Sequence, residues 1–113
     1  TLLGVVIQNL VANAVKFAAA AGVTPHVEVR GTGTASGSVI TVDDNGPGVP
    51  RDLRRRVFDL MDRGDAVGVE GLGLGLATCR RIIQAHGGHV ILEDSPLGGA
   101  RVQITLPNPP GLN

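Results

Sequence analysis

This chain is short of several residue types, and each shortage argues against a class of protein. Its single cysteine, Cys79, excludes an internal disulfide and a multi-cysteine zinc site, and it fits a reduced, intracellular setting. Two phenylalanines, with no tryptophan or tyrosine, offer few rings on which nucleic-acid bases would stack. The net charge is zero, whereas nucleic-acid surfaces show a basic excess. We therefore expect no nucleic-acid partner.

Long apolar runs are also missing, although hydrophobic residues make up 42% of the chain. No run approaches the roughly 18 residues of a membrane-spanning helix, so we expect a globular domain without direct membrane contact. The first apolar stretch contains Gln8, Asn9 and Asn13, which argues against a signal peptide. A length of 113 residues allows one core. We expect one domain over residues 1–107 and a flexible tail over 108–113.

Hydrophobic spacing and turn residues predict the order of the elements. Two hairpins alternate with helices, which predicts an α/β sandwich whose largely antiparallel sheet is covered on one face by helices. A polar stretch without periodicity, residues 62–71, is expected to be mobile. The predicted helices are 2–21, 51–61 and about 73–86; the predicted strands are 26–30 and 39–44, around a turn at 31–38, and 89–94 and 100–107.

Three glycines stand at alternate positions where the last helix begins: Gly71, Gly73 and Gly75. Glycine weakens a helix, so this placement needs another reason. Free N–H groups at a helix start attract anions, and glycine lets a phosphate approach the backbone closely. Two common phosphate-binding patterns fail, because a dinucleotide fingerprint needs glycine at Leu76 and a P-loop needs a lysine nearby, whereas the only lysine is Lys16. The alternative is a glycine-rich connector.

The first predicted helix carries an unusual polar stripe, in which Asn9, Asn13, Lys16 and Phe17 share one face. Asparagine carbonyl oxygens are suitable ligands for Mg²⁺, which usually keeps waters and bridges to substrate phosphates. A lysine suits a phosphate, and a phenyl ring suits the flank of a base. The alternative is an ordinary solvated face with one hydrogen-bonded buried amide.

The stretch DDNGPGV, residues 43–49, places a carboxylate at the end of a strand and glycine turns after it. Such a carboxylate can accept a hydrogen bond from an exocyclic amine while the backbone passes close to a flat ring. A calcium loop is excluded, because its twelfth position is Arg54 rather than glutamate. The alternative is a simple turn, since these residue types favour turns.

Together these segments resemble the ATP-binding catalytic domain of bacterial sensor histidine kinases. QNLVANAVKF resembles the N box of that family, DDNGPGVP its G1 box, RVFDLMDRGD its F box and GLGLGLATCRRIIQAHGG its G2 box. GGARVQITLP is similar to the closing strand, and the segments follow the family's order over nearly the whole chain. The resemblance implies the Bergerat ATP-binding fold, an α+β two-layer sandwich with a mixed, largely antiparallel sheet and three helices on one face.

The resemblance also implies roles for individual residues. Asn13 would bind Mg²⁺, with Asn9 beside it as a possible second ligand; Lys16 would face the phosphates of ATP, and Phe17 the adenine or ribose. Asp44 would accept from the adenine amino group. Gly46, Gly48 and Val49 would shape the adenine pocket, and Gly71, Gly73 and Gly75 would surround the phosphates. Leu72, Leu74 and Leu76 would form the base of the lid, the loop that precedes the last helix. Arg63 would contact the γ-phosphate or the partner domain.

The sequence departs from the hydrolysing members of the superfamily. Gyrase-type ATPases place a glutamate base four residues before the magnesium asparagine, where this chain has Asn9, so we expect slow hydrolysis at most. In the sensor kinases the phosphoryl acceptor is a histidine on a dimerisation helix. None of His26, His86 and His89 has the acceptor pattern, in which an acid and a basic residue follow the histidine. We expect a domain without the usual N-terminal strand and dimerisation helix, which binds ATP but does not phosphorylate itself.

This interpretation implies that the domain lies in the cytoplasm, whether or not the parent protein is anchored in a membrane. The expected partners are the dimerisation domain of the same kinase and, indirectly, a response regulator. Alternatives are an anti-sigma-factor serine kinase, a degenerate module that binds nucleotide or a partner without phosphotransfer, and a hydrolysing ATPase. The basic run Arg54–Arg56 is expected to be solvated, with docking to an acidic partner as the alternative.

Overall fold

A helix, a strand pair, a second helix and a second strand pair follow one another in the computed structural model, which describes residues 2–54 and 73–108. The predicted helix 51–61 is described only over its first four residues, and the stretch 62–71 lies outside the described part. The elements are α1 (Leu2–Ala20), β1 (Val27–Thr34), β2 (Gly37–Asp44), a 3-10 helix (Arg51–Leu53), α2 (Gly73–Ala85), β3 (His89–Asp94) and β4 (Ala100–Pro107).

The four described strands form one sheet in the order β1-β2-β4-β3, and every neighbouring pair is antiparallel. This confirms the predicted fold class. The turn predicted over 31–38 is wrong, because β1 continues to Thr34 and β2 already begins at Gly37. The strands are longer than predicted because of pairing with a distant strand. β4 extends far enough to pair Pro107 with Gly37 of β2, and this pairing stabilises the strand conformation of the glycine- and threonine-rich segment.

Both helices pack against the same face of the sheet. Along β4, Ala100, Val102 and Ile104 are buried, while the alternate residues are partly exposed, as a sheet covered on one face requires. The core that joins the two layers consists of Val6, Leu10, Val42, Leu76, Cys79, Ile83, Val102 and Ile104.

Cys79 belongs to this core and not to any reactive site. Its Sγ donates to the Val6 carbonyl oxygen at 3.7 Å, which links α2 to α1. Burial raises the pKa of the Cys79 thiol to about 11. Cys79 therefore contributes to the packing of the core.

Each α-helix ends at a glycine in the left-handed region, Gly22 with φ 77° and Gly87 with φ 81°. At both ends the backbone N–H groups of the glycine and the next residue donate back into the last turn, for example from Val23 to Ala18 at 3.0 Å and from Gly88 to Ile83 at 2.9 Å. This pattern satisfies carbonyl groups that a helix end otherwise leaves unpaired. The helix ends predicted at residues 21 and 86 are confirmed to within one residue, since the helices end at Ala20 and Ala85.

Helix α1 is apolar enough for a membrane span by length and composition, since the window Leu3–Ala20 has a mean hydropathy of 1.4. The exclusion of such a segment on run length alone was too strong. In this fold, however, Val6, Leu10, Ala14 and Ala18 of α1 are buried in the domain. Core helices of globular proteins can be equally long and apolar, so the hydropathy of α1 does not indicate a membrane span.

Candidate functional site

A cavity of about 230 Å³ lies between the two layers, where the loop after β2 meets α1. Among the described residues that line it, Asn13 and Asp44 are the ones with polar side chains, so these walls suit a flat apolar ring and the two polar groups select the ring's orientation. The lining residues are Leu10, Asn13, Ala14, Phe17, Val42, Asp44, Pro47, Gly48, Val49, Leu76, Leu92, Ala100 and Val102.

Asp44 is buried at the end of β2, and two backbone N–H groups fix its carboxylate. Gly46 N donates to Oδ1 at 2.9 Å, and Ala100 N donates to the same oxygen at 3.0 Å. The backbone oxygen of Asp44 accepts from Gly99 N at 3.0 Å. Within the described part of the chain, both side-chain hydrogen bonds use Oδ1, so Oδ2 can accept from a donor on a bound ligand.

Two glycines lie so close to the Asp44 carboxylate that they leave little or no room for a side chain. A Cβ at Gly99 would lie 2.2 Å from Asp44 Oδ1, and one at Gly46 would lie 3.3 Å from the same atom. Gly48, which lines the cavity, has φ 73°, a conformation that favours glycine. The glycines of the DDNGPGV stretch therefore serve the geometry of this wall.

Asn45 holds the start of the loop to the segment that leads into β1. Its Oδ1 accepts from His26 N at 2.8 Å, and its Nδ2 donates to the Thr24 carbonyl at 2.9 Å. Both hydrogen bonds join segments about 20 positions apart in the chain. The loop that follows Asp44 thus leaves the sheet in a defined direction.

Asn13 is buried, and its Nδ2 has no hydrogen-bond partner among the described residues. A buried amide without a partner costs free energy, and it marks a place where a ligand can complete the hydrogen bonding. Its amide oxygen is also a ligand type that Mg²⁺ prefers. The donor set fits a magnesium ion that takes few protein ligands and completes its coordination with water and phosphate oxygens.

The structure brings six of the twelve described predicted site residues to the cavity wall. Asn13, Phe17, Asp44, Gly48, Val49 and Leu76 line it, and Gly46 hydrogen-bonds to Asp44. Leu76 lies in the first turn of α2, so Gly73, Leu74 and Gly75 form the helix start next to the cavity. Asn9 is half-buried and Lys16 is exposed, and neither lines the cavity. Arg63, Gly71 and Leu72 lie outside the described residues.

The sequence interpretation missed a cluster around Asp43 on the other face of β2. Asp43 Oδ1 accepts from Ser95 Oγ and from Arg101 Nε, each at 2.8 Å. Burial opposes ionisation of Asp43, but the hydrogen bonds and charge of Arg101, with Ser95 and Arg30, prevail and lower the pKa of that carboxyl. The same contact raises the pKa of Arg101. The adjacent acids in DDNGPGV were the available signal, since neighbouring strand residues face opposite ways.

Arg54 also has a structural role, contrary to the expectation of a solvated basic run. Its Nε donates to the Val49 carbonyl at 2.9 Å, and its guanidinium pairs with Asp94 at the end of β3. Only 19% of the Arg54 side chain is exposed. Arg54 therefore fixes the cavity wall at Val49; Arg55 and Arg56 lie outside the described residues.

Residues 1–110 match the family described as histidine kinase-, DNA gyrase B- and HSP90-like ATPases. The chain belongs to this family. A similar curated protein is the sensor-type histidine kinase PrrB of Mycobacterium tuberculosis, 43% identical over 103 residues, which cover 91% of this chain and 22% of PrrB. The chain thus spans about a fifth of that relative's length. It is a catalytic domain of the histidine-kinase type.

Solved structures agree with this assignment. The ATP-binding domain of PrrB from Mycobacterium tuberculosis superposes with a TM-score of 0.73 at 38% identity, over 95% of this chain and 67% of that one. Full-length ShkA, solved in complex with AMPPNP, gives 0.73 at 33% identity, over 93% and 21%. The histidine kinase ThkA, solved with the response regulator TrrA, gives 0.70 at 25% identity, over 96% and 29%.

Proposed function

We propose that this chain binds ATP with Mg²⁺ in the cavity and presents the γ-phosphoryl group to a histidine on a separate dimerisation domain. The observation that carries the proposal is the pair of polar groups in an otherwise apolar cavity: the unpartnered amide of Asn13 and the fixed carboxylate of Asp44. The similarity to ShkA, whose structure contains AMPPNP, supports a nucleotide as the ligand.

The adenine ring belongs between the apolar walls, with its amino group donating to Asp44 Oδ2. Val42, Leu92 and Val102 supply walls on the sheet side, and Phe17 supplies a ring from α1. An amino group at C6 satisfies the carboxylate, whereas a carbonyl group at that position would place two acceptors together. The site therefore selects adenine over hypoxanthine and guanine.

The triphosphate extends from this pocket towards α1 and the start of α2. Asn13 lies in the cavity wall, and the backbone of Gly73–Gly75 lies at the N-terminal end of α2, where unpaired N–H groups and the helix dipole favour anions. Bound Mg²⁺ would neutralise phosphate charge, with Asn13 as its protein ligand and Asn9 as a possible second one. Lys16 is exposed one turn beyond Asn13, and its long side chain can reach a phosphate from there.

Transfer requires an acceptor from another domain. The bond between the γ-phosphorus and the oxygen of ADP breaks, and a bond from phosphorus to an imidazole nitrogen forms. The chain's contribution is positioning and charge stabilisation, since Asn9 lacks the basicity to activate water. The partners are the dimerisation domain of the same kinase and, indirectly, a response regulator, as the ThkA–TrrA complex suggests by similarity. A histidine kinase catalytic domain acts on ATP in the cytoplasm, which is the proposed location.

Calorimetric titration of the chain with AMPPNP, with and without Mg²⁺, tests the proposal. We expect binding that weakens at least about ten-fold without Mg²⁺ or in Asn13→Ala, since each change removes a charge-neutralising or hydrogen-bonding contact. Asn108→Ala, a substitution at the far end of β4, is the matched control and should bind as the parent chain does. No binding by a chain that melts cooperatively would contradict the proposal and favour the degenerate partner-binding module.

A further inference from the structure

The turn between β3 and β4, residues 95–99, lies next to the proposed adenine site. Its hydrogen bonds reach residues on both faces of the sheet. Asp43 and Asp44 are adjacent in β2, so their side chains point to opposite faces, Asp44 to the cavity and Asp43 away from it. The turn and the first two residues of β4 donate to both acids: Ser95 Oγ and Arg101 Nε donate to the Asp43 carboxylate, Ala100 N to the Asp44 carboxylate and Gly99 N to the Asp44 backbone oxygen. The turn is therefore in contact with both acids at once.

On the cavity side, the residues at the end of the turn contribute to the orientation of the Asp44 carboxylate. Gly99 N and Ala100 N donate to the backbone and side-chain oxygens of Asp44, each at 3.0 Å. A Cβ at Gly99 would lie within 2.6 Å of both of these oxygens, so the two backbones are as close as they can be. Gly46 N donates to the same side-chain oxygen at 2.9 Å, so the Ala100 N–H supplies one of the two hydrogen bonds that orient the carboxylate.

On the opposite side, Asp43 fixes both ends of the turn. Ser95 Oγ, at its start, and Arg101 Nε, just after its end, converge on Asp43 Oδ1 at 2.8 Å. Only 3% of Asp43 is exposed, and 30% of the Arg101 side chain. Within the turn, Ser95 N donates to the Gly99 carbonyl at 2.9 Å, and Leu97 N donates to Ser95 Oγ at 3.1 Å, so hydrogen bonds join the start of the turn to its end.

We propose that Asp43, Ser95 and Arg101 are positioning residues that hold the β3–β4 turn and, through it, orient Asp44 for recognition of the amino group at C6 of the purine. The proposal rests on the proposed nucleotide-binding function. None of the three residues lines the cavity, so their effect on a ligand is transmitted through the backbone of Gly99 and Ala100.

The affinity ratio of ADP to inosine diphosphate tests the proposal, because the two ligands differ at C6 and at the adjacent N1 of the base and not in their phosphates. We expect the parent chain to prefer ADP with Mg²⁺. Ser95→Ala and Asp43→Asn should each lower the ratio by about five-fold, mainly through weaker ADP binding, because a looser carboxylate loses part of its hydrogen bond. Glu93→Gln is the control. Glu93 lies near Arg101 without a hydrogen bond to it among those described, so this variant should keep the parent affinity ratio.

A merely structural role makes a different prediction. If both affinities fall together and the ratio stays at the parent value, the positioning role is overturned. If Asp43→Asn does not fold, Ser95→Ala decides, since it removes one hydroxyl. A parent chain that binds both nucleotides equally would also overturn the inference while leaving nucleotide binding intact. A parent chain that binds neither would overturn the proposed function itself.

Discussion

At the scale of single residues, Asn13 combines burial with an unsatisfied amide nitrogen, which is unfavourable for the free protein. We therefore expect Asn13→Ala to leave the free energy of unfolding unchanged or to raise it by about 1 kcal/mol, since the unpaired amide is removed and alanine favours the helix. The stabilisation by AMPPNP with Mg²⁺ should be lost in the same variant.

Chemical denaturation with and without the nucleotide measures both effects. A variant that loses about 2 kcal/mol in the absence of nucleotide would show that the amide stabilises the fold, and would contradict its assignment to the ligand.

The close approach of Gly99 to Asp44 predicts the effect of a side chain at position 99. Its Cβ would lie 2.2 Å from Asp44 Oδ1, and relief of that contact requires the backbone to move. Gly99→Ala should lower the free energy of unfolding by about 1–3 kcal/mol, as an overpacked site does. Gly31→Ala is the control, because no atom lies within 4 Å of a Cβ there. Equal unfolding midpoints for the two variants would contradict the described contact.

At the scale of the elements, Asp43 couples β2 to β4 in a way that depends on pH. Its pKa lies below the ordinary value of 3.8, so its contribution to stability is complete above that pH and is lost as the pH falls through its lower native value. The groups around it are Arg101, Ser95 and Arg30, with Glu93 near Arg101. Asp43→Asn should flatten the fall in stability below about pH 4. Parallel acid denaturation curves for the two chains would contradict the pairing.

Cys79 reports on the contact between the two helices. Since burial raises its pKa from 9.0 to about 11, the thiolate fraction near pH 8 is roughly a hundred-fold below that of a free thiol. Labelling by a thiol reagent should therefore be slower by at least this factor in the native chain than in urea. Rapid native labelling would show that α1 and α2 separate readily.

The limits of prediction from sequence also appear at this scale. Helix ends could be located because Gly22 and Gly87 act locally, and the polar stripe of α1 could be found because helical spacing is regular. The length of the first hairpin could not, because it depends on pairing with the distant strand β4. Asp43, Ser95 and Arg101 were missed for the same reason, since residues more than 50 positions apart form that cluster.

At the scale of the whole molecule, the proposed nucleotide site occurs in a chain in which none of the three histidines, His26, His86 and His89, has the family's acceptor pattern. Incubation with ATP labelled at the γ-phosphate should leave the chain unlabelled, and addition of a dimerisation domain with its histidine should permit transfer to that domain. Acid-labile label on the chain alone would contradict this account. Label that is stable to acid, on a serine of a partner protein, would favour the serine-kinase alternative.

The central claim is that the cavity between α1 and the sheet holds the adenine ring. Isotope-filtered NMR of the labelled chain with AMPPNP and Mg²⁺ tests it most directly, because it detects protons of the base that lie close to protein methyl groups. The account predicts contacts from the adenine ring to methyl groups of Leu10, Val42 and Val102, which line the cavity. Contacts instead to Leu3, Ile82 and Leu106, which line a second groove at the opposite end of the sheet, would contradict it.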